Sequence, residues 1–291
     1  MTSDQPPSMD RLSTLFERFR VHARLFHAGP LCGVTHYDAQ AGRSFLHVLR
    51  RGEMVVTHLP LSGARREIKV NEPTLLFYPR PLDHRFHNAP AEGCDFVCAT
   101  VDFAGGDRHP VVAALPPILV LPLRLLPGLG PTLELLFAET EQVRCGQRLL
   151  ANRLFEVLLL QLMRWLMDHP DQAGMQAGLI FGLAHPKLAR ALTAMHERPG
   201  AAWALESMAE AAGMSRSAFA AEFKLHVGVT PAGYLLRWRV SLAQSMLLGG
   251  DSVVLVSDKL GYASAASFSR AFAQSVGMPP SAWLQEQKDK G

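Results

Sequence analysis

Histidine and cysteine are the residue types in this chain most able to bind metals, transfer protons or react with oxidants, and it contains 12 histidines and 4 cysteines. Their spacing alone does not define a site. No two cysteines form the CxxC pair of a zinc knuckle, and Cys94 and Cys98 would lie ~13 Å apart on one strand, too far for a disulfide. Five histidines of the N-terminal half show no metal-ligand spacing, namely His22, His27, His36, His58 and His87.

A six-residue pattern occurs twice near the C-terminus. The first copy is Gly213, Phe219, Phe223, Gly228, Pro231 and Tyr234, and the second is Gly261, Phe268, Phe272, Gly277, Pro280 and Trp283. Five of the six positions keep an offset of 49 residues, and only the leading glycine is offset by one residue less. The chain therefore contains a repeated structural unit.

Each copy predicts a helix, a tight turn and a second helix. An apolar stripe ends at Gly213, where a left-handed residue can terminate a helix, and Ser215 can cap the next helix. Gly261 and Ser264 repeat these roles in the second copy. This is the helix-turn-helix plan, in which the second helix enters the major groove of DNA.

The segment that joins the two copies distinguishes DNA binding from the alternative, a helical array without a nucleic-acid role. Residues 231–248 give 18 helical positions, a rod about 27 Å long at ~1.5 Å per residue. Two reading helices held apart by such a rod can reach successive major grooves, which recur every ~34 Å on one face of B-DNA.

The stretches GMSRSAFAAEFKLHVGVTPAGYLLRWRV and LGYASAASFSRAFAQSVGMPPSAW resemble the DNA-binding domain of the AraC/XylS family of bacterial transcription regulators. The resemblance extends from Trp203 to Trp283. It implies an all-α domain with two helix-turn-helix units, recognition helices near residues 215–227 and 265–276, and double-stranded DNA as partner. We expect the tryptophans at 203, 238 and 283 to be packing anchors.

The family places eight residues of the two recognition helices toward DNA. They are Arg216, Ser217, Ala220, Ala221, Lys224, Ala266, Ser267 and Arg270. Similar proteins often have long polar side chains at the positions of Ala220 and Ala221, and alanine can contact only a thymine methyl. Readout by the first helix must therefore depend on Arg216, Ser217 and Lys224, whereas Arg270 is the one long donor of the second.

The N-terminal part follows a different pattern. Between about Ala23 and Leu123, short apolar runs alternate with Gly and Pro turn signals, which predicts a β-sandwich or barrel. The segment PRPLDHRFHN, with His84, resembles the second motif of the cupin β-barrel. In SFLHVLRRG only His47 of the first motif's histidine pair is present, with Phe45 at the partner position. We therefore predict a cupin-like sensory barrel similar to the cupin-6 domains of AraC-type regulators.

That resemblance implies that His47 and His84 converge, either as hydrogen-bonded pocket histidines or as ligands of zinc or another divalent metal. It also makes Cys32 and Cys98 candidates for a redox pair or for thiolates beside His47 and His84, because family members that respond to oxidants use cysteines in similar positions. The alternative is that both cysteines are small apolar core residues. The effector, a small molecule or an oxidant, is not identified by the sequence.

The predicted fold class is α+β, in three parts: a cupin-like sensory domain over 1–125, a helical dimerisation segment and linker over 126–184, and the double helix-turn-helix domain over 185–291. Residues 185–291 hold 11 Lys and Arg and 8 Asp and Glu, so their charge of +3 equals that of the whole chain. This small excess predicts few phosphate contacts. The nearly all-apolar helix within 131–168 predicts a homodimer.

The sequence thus predicts a DNA-binding transcription regulator controlled by an effector. RNA polymerase would be a further partner of an activator. MTSDQPPSMD lacks the features of a signal peptide, and no apolar run is long enough for a membrane span, so we expect a cytoplasmic protein. The alternative is a cupin-type metal enzyme with a helical accessory domain. It is disfavoured because half of the usual three-His, one-Glu ligand set is missing.

Overall fold

The computed structural model describes residues 9–59, 64–88, 93–106, 109–172 and 177–290. The chain forms two compact units. The first, Arg20–Gln176, contains the β-strands and the helices between residues 110 and 168, and we call it the sensor unit. The second combines Met1–Phe19 with Ala177–Gly291, and we call it the helical unit. This division differs from the three-part organisation above, since the first 19 residues group with the C-terminal helices.

The sensor unit contains two antiparallel sheets. Their strands are β1 Val21–Leu31, β2 Val34–Tyr37, β3 Arg43–Arg51, β4 Met54–His58, β5 Glu67–Val70, β6 Thr74–Tyr78, β7 His84–Asn88, β8 Cys94–Phe103 and β9 Leu119–Pro122. One sheet has the order β1-β8-β3-β6-β9 and the other β2-β7-β4-β5. Within the described residues no strand pairs across from one sheet to the other. The cupin-like domain is therefore an open two-sheet sandwich, and the closed barrel of the sequence prediction is corrected.

The core lies between the two sheets. Because side chains alternate along a strand, β4 buries Met54, Val56 and His58 and leaves Val55 and Thr57 half-buried. The central strands β3 and β6 are buried on both faces. The row of residues facing the core on β3 and β8 includes His47 opposite Cys98.

Three helices complete the sensor unit: α2 Pro110–Ala114, α3 Gly130–Glu141 and α4 Gln147–Asp168. Helix α4 packs along the edge strand β1. Asn152 Oδ1 accepts a hydrogen bond from the backbone N–H of Leu25 at 2.8 Å, and Glu156 accepts one from Ala23 at 3.3 Å. These side chains satisfy donors that an uncovered edge strand would expose.

The helical unit consists of short helices around one longer rod. They are α1 Ser13–Arg18, α5 Leu179–Ala184, α6 Pro186–Glu197, α7 Leu205–Ala212, α8 Arg216–Val227, α9 Pro231–Leu248, α10 Val253–Lys259, α11 Ala265–Val276 and α12 Pro280–Lys290. The rod α9 has the 18 residues that were predicted. The predicted linker is partly helical, because the apolar residues of α5 are buried within the unit.

Helix α1 belongs to the helical unit because its apolar side is covered there. Leu15 is fully buried, and the Phe19 ring packs edge-on against Trp238 of α9 at 5.1 Å. Arg11 donates to the carbonyl of Leu183 at 2.8 Å, and Arg18 to that of Glu197 at 3.2 Å. No helix in the described ranges combines the length and apolarity that crossing a membrane requires.

Candidate functional site

The two helix-turn-helix units are built by the same local interactions. In the first, Gly213 ends α7 with a left-handed φ of 63°, and Ser215 Oγ accepts from the N–H of Ala218 at 3.3 Å. In the second, Gly261 has φ 73°, and Ser264 Oγ accepts from the N–H of Ser267 at 3.1 Å. The predicted turns, caps and recognition helices α8 and α11 are confirmed.

Matching aromatic contacts fix both recognition helices from behind. Phe223 packs against Tyr234 with ring centroids 5.7 Å apart, and Phe272 packs against Trp283 at 5.8 Å, both nearly edge to face. All four residues are buried. The repeated residues therefore form two equivalent cores, which leave the opposite faces of α8 and α11 to solvent.

The solvent face of α8 carries the residues predicted for DNA contact. Arg216, Ser217, Ala221 and Lys224 are exposed, and Ala220 is half-buried. The Arg216 guanidinium forms an ion pair with Glu206 of α7, and this contact lowers the pKa of the Glu206 carboxyl. This ion pair uses one of the five N–H donors of the Arg216 side chain.

On α11, Arg270 and Ala266 are exposed. Ser267 is half-buried, and its hydroxyl donates to the carbonyl of Ser264 at 2.7 Å and accepts from the N–H of Ser264 at 3.1 Å. Its side chain thus completes a reciprocal cap. Gln274 is also exposed, one helical turn after Arg270, and it is not among the eight residues predicted to contact DNA. Its spacing of four residues from Arg270 places both on one face of α11, and this spacing could have identified it from the sequence.

Arg239 of α9 forms a clamp between the loop that precedes α7 and the second helix-turn-helix unit. Its guanidinium donates to the carbonyls of Pro199 at 2.7 Å and Ala201 at 2.9 Å, and it lies 5.4 Å from the ring centroid of Tyr262. In the same place Gly261 approaches the backbone of Gly200 so closely that a Cβ on Gly261 would collide with its carbonyl. The turn of the second unit is thereby fixed to the 198–203 loop.

Two of the three predicted tryptophan anchors are buried, Trp238 and Trp283. Trp203 is only half-buried, so its prediction as a core residue is corrected. Its indole N–H donates to the carbonyl of Arg198 at 2.8 Å, and the Arg198 guanidinium lies over its ring. Trp203 therefore packs on the solvent side of the loop that precedes α7.

In the sensor unit, the structure brings His47 and His84 together between the sheets. Their Nε2 atoms are 3.1 Å apart, and both side chains are almost completely buried. His84 is stacked between Tyr78, at 3.9 Å, and Tyr37, at 5.0 Å. The predicted convergence of the two histidines is therefore present, within a box of aromatic rings.

Hydrogen bonds assign the protons of this pair. His84 Nδ1 lies 2.8 Å from the carbonyl of Leu82, which can only accept, so His84 Nε2 carries a lone pair. His47 Nε2–H must then donate to it. Burial, with the neighbouring charge of His84, lowers the pKa of His47 far below its usual value, and burial lowers the pKa of His84 to about 4. Both rings are neutral near pH 7.

A surface cavity of about 550 Å³ reaches this pair from the side of the smaller sheet. His58 and His84 form its inner part, and Arg66, Glu67, Asp83 and Arg85 are among its lining residues. His58 Nε2 lies 3.0 Å from the hydroxyl of Tyr78, which links the cavity to the aromatic box. The lining includes side chains with charges of both signs.

Comparisons with known proteins bear on both units. Residues 10–168, more than half of the chain, match the family described as Cupin, and residues 208–286 match the family described as Helix-turn-helix domain. The chain belongs to the cupin family and carries an AraC-type helix-turn-helix domain.

Several similar proteins are named as transcription regulators. A putative AraC-like transcription regulator of Streptomyces lividans is 37% identical over 133 residues, which are 45% of this chain and 43% of that protein. RclR of Escherichia coli (strain K12), an RCS-specific HTH-type transcriptional activator, is 28% identical over 212 residues, 71% of this chain and 73% of RclR. This chain spans less than half the length of the Streptomyces lividans relative.

Several solved structures are similar to part of this chain, and one of them is a complex with DNA. It is the crystal structure of the DNA-binding domain of AdpA, the global transcriptional factor, in complex with a target DNA. It is 27% identical and covers 36% of this chain and 95% of the AdpA domain, with a TM-score of 0.34.

The interior of this cupin unit does not fit the metal of catalytic cupins. Among the described residues, no carboxylate, cysteine or further histidine completes a three-ligand group with His47 and His84. Burial raises the pKa values of the Tyr37 hydroxyl and the Cys98 thiol, so neither offers an anionic ligand. His47 and His84 therefore form a hydrogen-bonded pocket pair.

The predicted pairing of Cys32 with Cys98 is wrong. Cys98 lies opposite His27 in the β1–β8 ladder, and Cys32 is five residues further along the chain, just past the end of β1 at Leu31, or about 16 Å at ~3.3 Å per residue. A disulfide needs Cα atoms within about 7 Å. Cys32 is exposed and Cys98 is buried with its thiol protonated, which is the environment of a core residue.

The buried histidine pair predicts a dependence of stability on pH. Since the pKa of His84 is lower in the folded than in the unfolded chain, stability is fully present above about pH 6.5 and is lost as the pH falls toward about 4. The loss should reach about 3 kcal/mol. Urea unfolding at pH 7, 6, 5 and 4 should show a weaker pH dependence for His84→Gln than for the unmodified protein. Equal dependence would contradict the buried neutral pair.

Proposed function

We propose that this protein is a sequence-specific transcription regulator, with the helical unit binding DNA and the sensor unit responding to a small effector. The observation that carries this proposal is the pair of equivalent helix-turn-helix units on one rigid rod, α9, with Arg216, Lys224 and Arg270 on their outer faces. One chain can therefore place two reading helices in successive major grooves.

Selection of bound DNA from a random library tests this proposal. We expect enrichment of a two-part site whose halves lie about 10 base pairs apart, one turn of B-DNA. Binding without enrichment of any sequence would leave only charge-based association and would contradict specific recognition.

The cavity beside His58 and His84 is our proposed effector site. It is lined by Arg66 and Arg85 as well as acidic groups, so it favours a small polar effector over an aliphatic one. The proposal fits a regulator better than the alternative of a cupin enzyme, because the interior lacks a catalytic ligand set. A regulator of this kind acts in the cytoplasm and, as an activator, would contact RNA polymerase.

The outer face of α4 is our proposed dimer interface. Of the apolar residues that the sequence placed there, Leu154, Leu158, Leu162 and Trp165 are buried within the sensor unit. Leu149, Leu150, Val157 and Leu160 are exposed and lie at helical spacing along one stripe. A second copy of the chain, packing the same stripe against this one, would cover it as a two-fold interface.

We predict that the full chain is a dimer at tens of micromolar and that Leu150→Glu with Val157→Glu makes it monomeric. Two buried carboxylates would face their copies across the two-fold axis, and desolvating them is unfavourable. Sedimentation velocity measures the result. Val34→Glu is the control, since Val34 is also apolar and exposed but lies on β2. A monomeric unmodified chain would contradict this interface.

A further inference from the structure

Three potential metal ligands meet in the helical unit, behind the first recognition helix. They are His185, at the junction of α5 and α6, and Glu222 and His226 on α8. Their ligand atoms all lie within 4.8 Å of one another, and all three side chains are half-buried. Glu222 and His226 are four residues apart, which places both on one face of the helix.

The hydrogen bonds of His226 leave one of its nitrogens available. Its Nδ1 lies 3.0 Å from the carbonyl oxygen of Glu222 and 3.4 Å from Oε2 of the Glu222 carboxylate, and both can only accept, so Nδ1 holds the proton and Nε2 the lone pair. The ring of Phe181 stacks on His226 at 5.2 Å and fixes its plane. A backbone carbonyl that orients an imidazole in this way is a regular outer-sphere feature of metal sites.

The cap does not by itself distinguish His185, since His109 caps α2 in the same way, but its position beside His226 does. His185 precedes α6, and its Nδ1 accepts from the N–H of Leu188 at 3.2 Å. Serine or threonine caps α8, α9, α10 and α11, in agreement with the usual preference. At α6 an imidazole takes this place, 4.8 Å from the ring of His226. Burial and the nearby His226 lower the pKa of His185, which keeps it neutral.

We propose that His185, Glu222 and His226 bind a divalent transition-metal ion of the zinc, cobalt or nickel class. Two imidazoles and one carboxylate are borderline donors that suit these ions, and three protein ligands leave a fourth position for water. Nothing in the cupin or helix-turn-helix assignment places a metal here.

Metal binding would exchange one contact for another at His185. Coordination through Nδ1 uses the lone pair that accepts from Leu188, and coordination through Nε2 moves the ring proton to Nδ1. Either mode replaces the cap of α6. The ion therefore connects the start of α6 to the end of α8 and removes a purely local bond.

The site lies away from the surface proposed to bind DNA. At about 100° per residue, His226 is about 180° from Ser217, about 160° from Lys224 and about 80° from Arg216 around α8, and Arg216 is about 15 Å away along the helix axis. A bound ion would therefore support the recognition helix from its rear without occupying the DNA face, and it should raise the thermal midpoint of the helical unit.

The test is titration of the untagged full chain with Zn²⁺ and with Co²⁺. We expect one ion per chain, visible d–d absorption with Co²⁺, and a rise of several degrees in the Zn²⁺-loaded unfolding midpoint. His226→Gln and Glu222→Gln should each weaken Zn²⁺ binding about tenfold or more. His185→Ser should do the same and still fold, because serine restores a preferred cap.

The control is His36→Gln, in the sensor unit. His36, Asp38 and Asp83 form the other three-residue group of potential ligands among the described residues, and two of them are exposed. This variant should bind Zn²⁺ like the unmodified chain. The proposal is overturned if His185→Ser and His226→Gln retain full affinity, or if only His36→Gln loses it.

Discussion

Arg270→Ala is expected to weaken binding to the selected operator about 5- to 150-fold, because one bidentate contact to a base contributes ~1–3 kcal/mol of discrimination. Arg270 is exposed on α11 beyond the reciprocal cap made by Ser264 and Ser267. Ala266 cannot replace its hydrogen bonds, and the Ser267 hydroxyl is already used in the cap. Gel-shift titration with the operator and with a scrambled duplex measures the effect.

The comparison with Lys288→Ala separates base reading from charge. Lys288 is exposed on α12, and its removal changes the net charge by the same amount. We expect this control to weaken binding to the operator and to the scrambled duplex equally and only slightly. If Arg270→Ala behaves in the same way, Arg270 contacts phosphates and Gln274, one turn later, becomes the candidate reader of α11.

Local interactions explain why the helical unit could be predicted so closely from sequence. Gly213 and Gly261 end helices because their left-handed backbone favours glycine, and Ser215 and Ser264 begin helices by capping them. Each signal acts within four residues. The limits of α9 followed in the same way from Pro231, at its first position.

Long-range pairing explains what could not be predicted. The position of Cys98 opposite His27, and not near Cys32, depends on the register of β1 and β8, whose partners are about 70 residues apart in sequence. The same holds for the grouping of α1 with the helical unit, which depends on the contact of Phe19 with Trp238. The convergence of His47 and His84 could be predicted only because their segments resemble those of a known fold.

The polar residues of the two recognition helices look equivalent in the sequence but differ in the structure. Ser267 is engaged in a cap and Arg216 in an ion pair with Glu206. Composition shows which side chains can donate hydrogen bonds, but only the structure shows which donors already have acceptors. The same distinction identified His185, whose proximity to Glu222 and His226 has no signal in a single sequence.

Gly261→Ala is expected to destabilise the helical unit by about 3 kcal/mol or more and to abolish two-part recognition of DNA. Alanine is strained at φ 73°, and its Cβ would meet the carbonyl of Gly200, which cannot move without disturbing the Arg239 clamp. Thermal unfolding followed by tryptophan fluorescence, with footprinting of both half-sites, measures the two effects. We expect protection to remain only at the half-site bound by α8.

Gly277→Ala is the matched control, because Gly277 also has a left-handed backbone, with φ 91°, but a Cβ there would meet no atom within 4 Å. The free energy of unfolding should fall only by the conformational cost of alanine at a positive φ, about 1 kcal/mol, and both half-sites should stay protected. The difference between the two variants isolates the contact of Gly261 with Gly200. If they are equally stable, that contact does not hold the second helix-turn-helix unit in place, and the position of α11 must depend on α9 and the Phe272–Trp283 core alone.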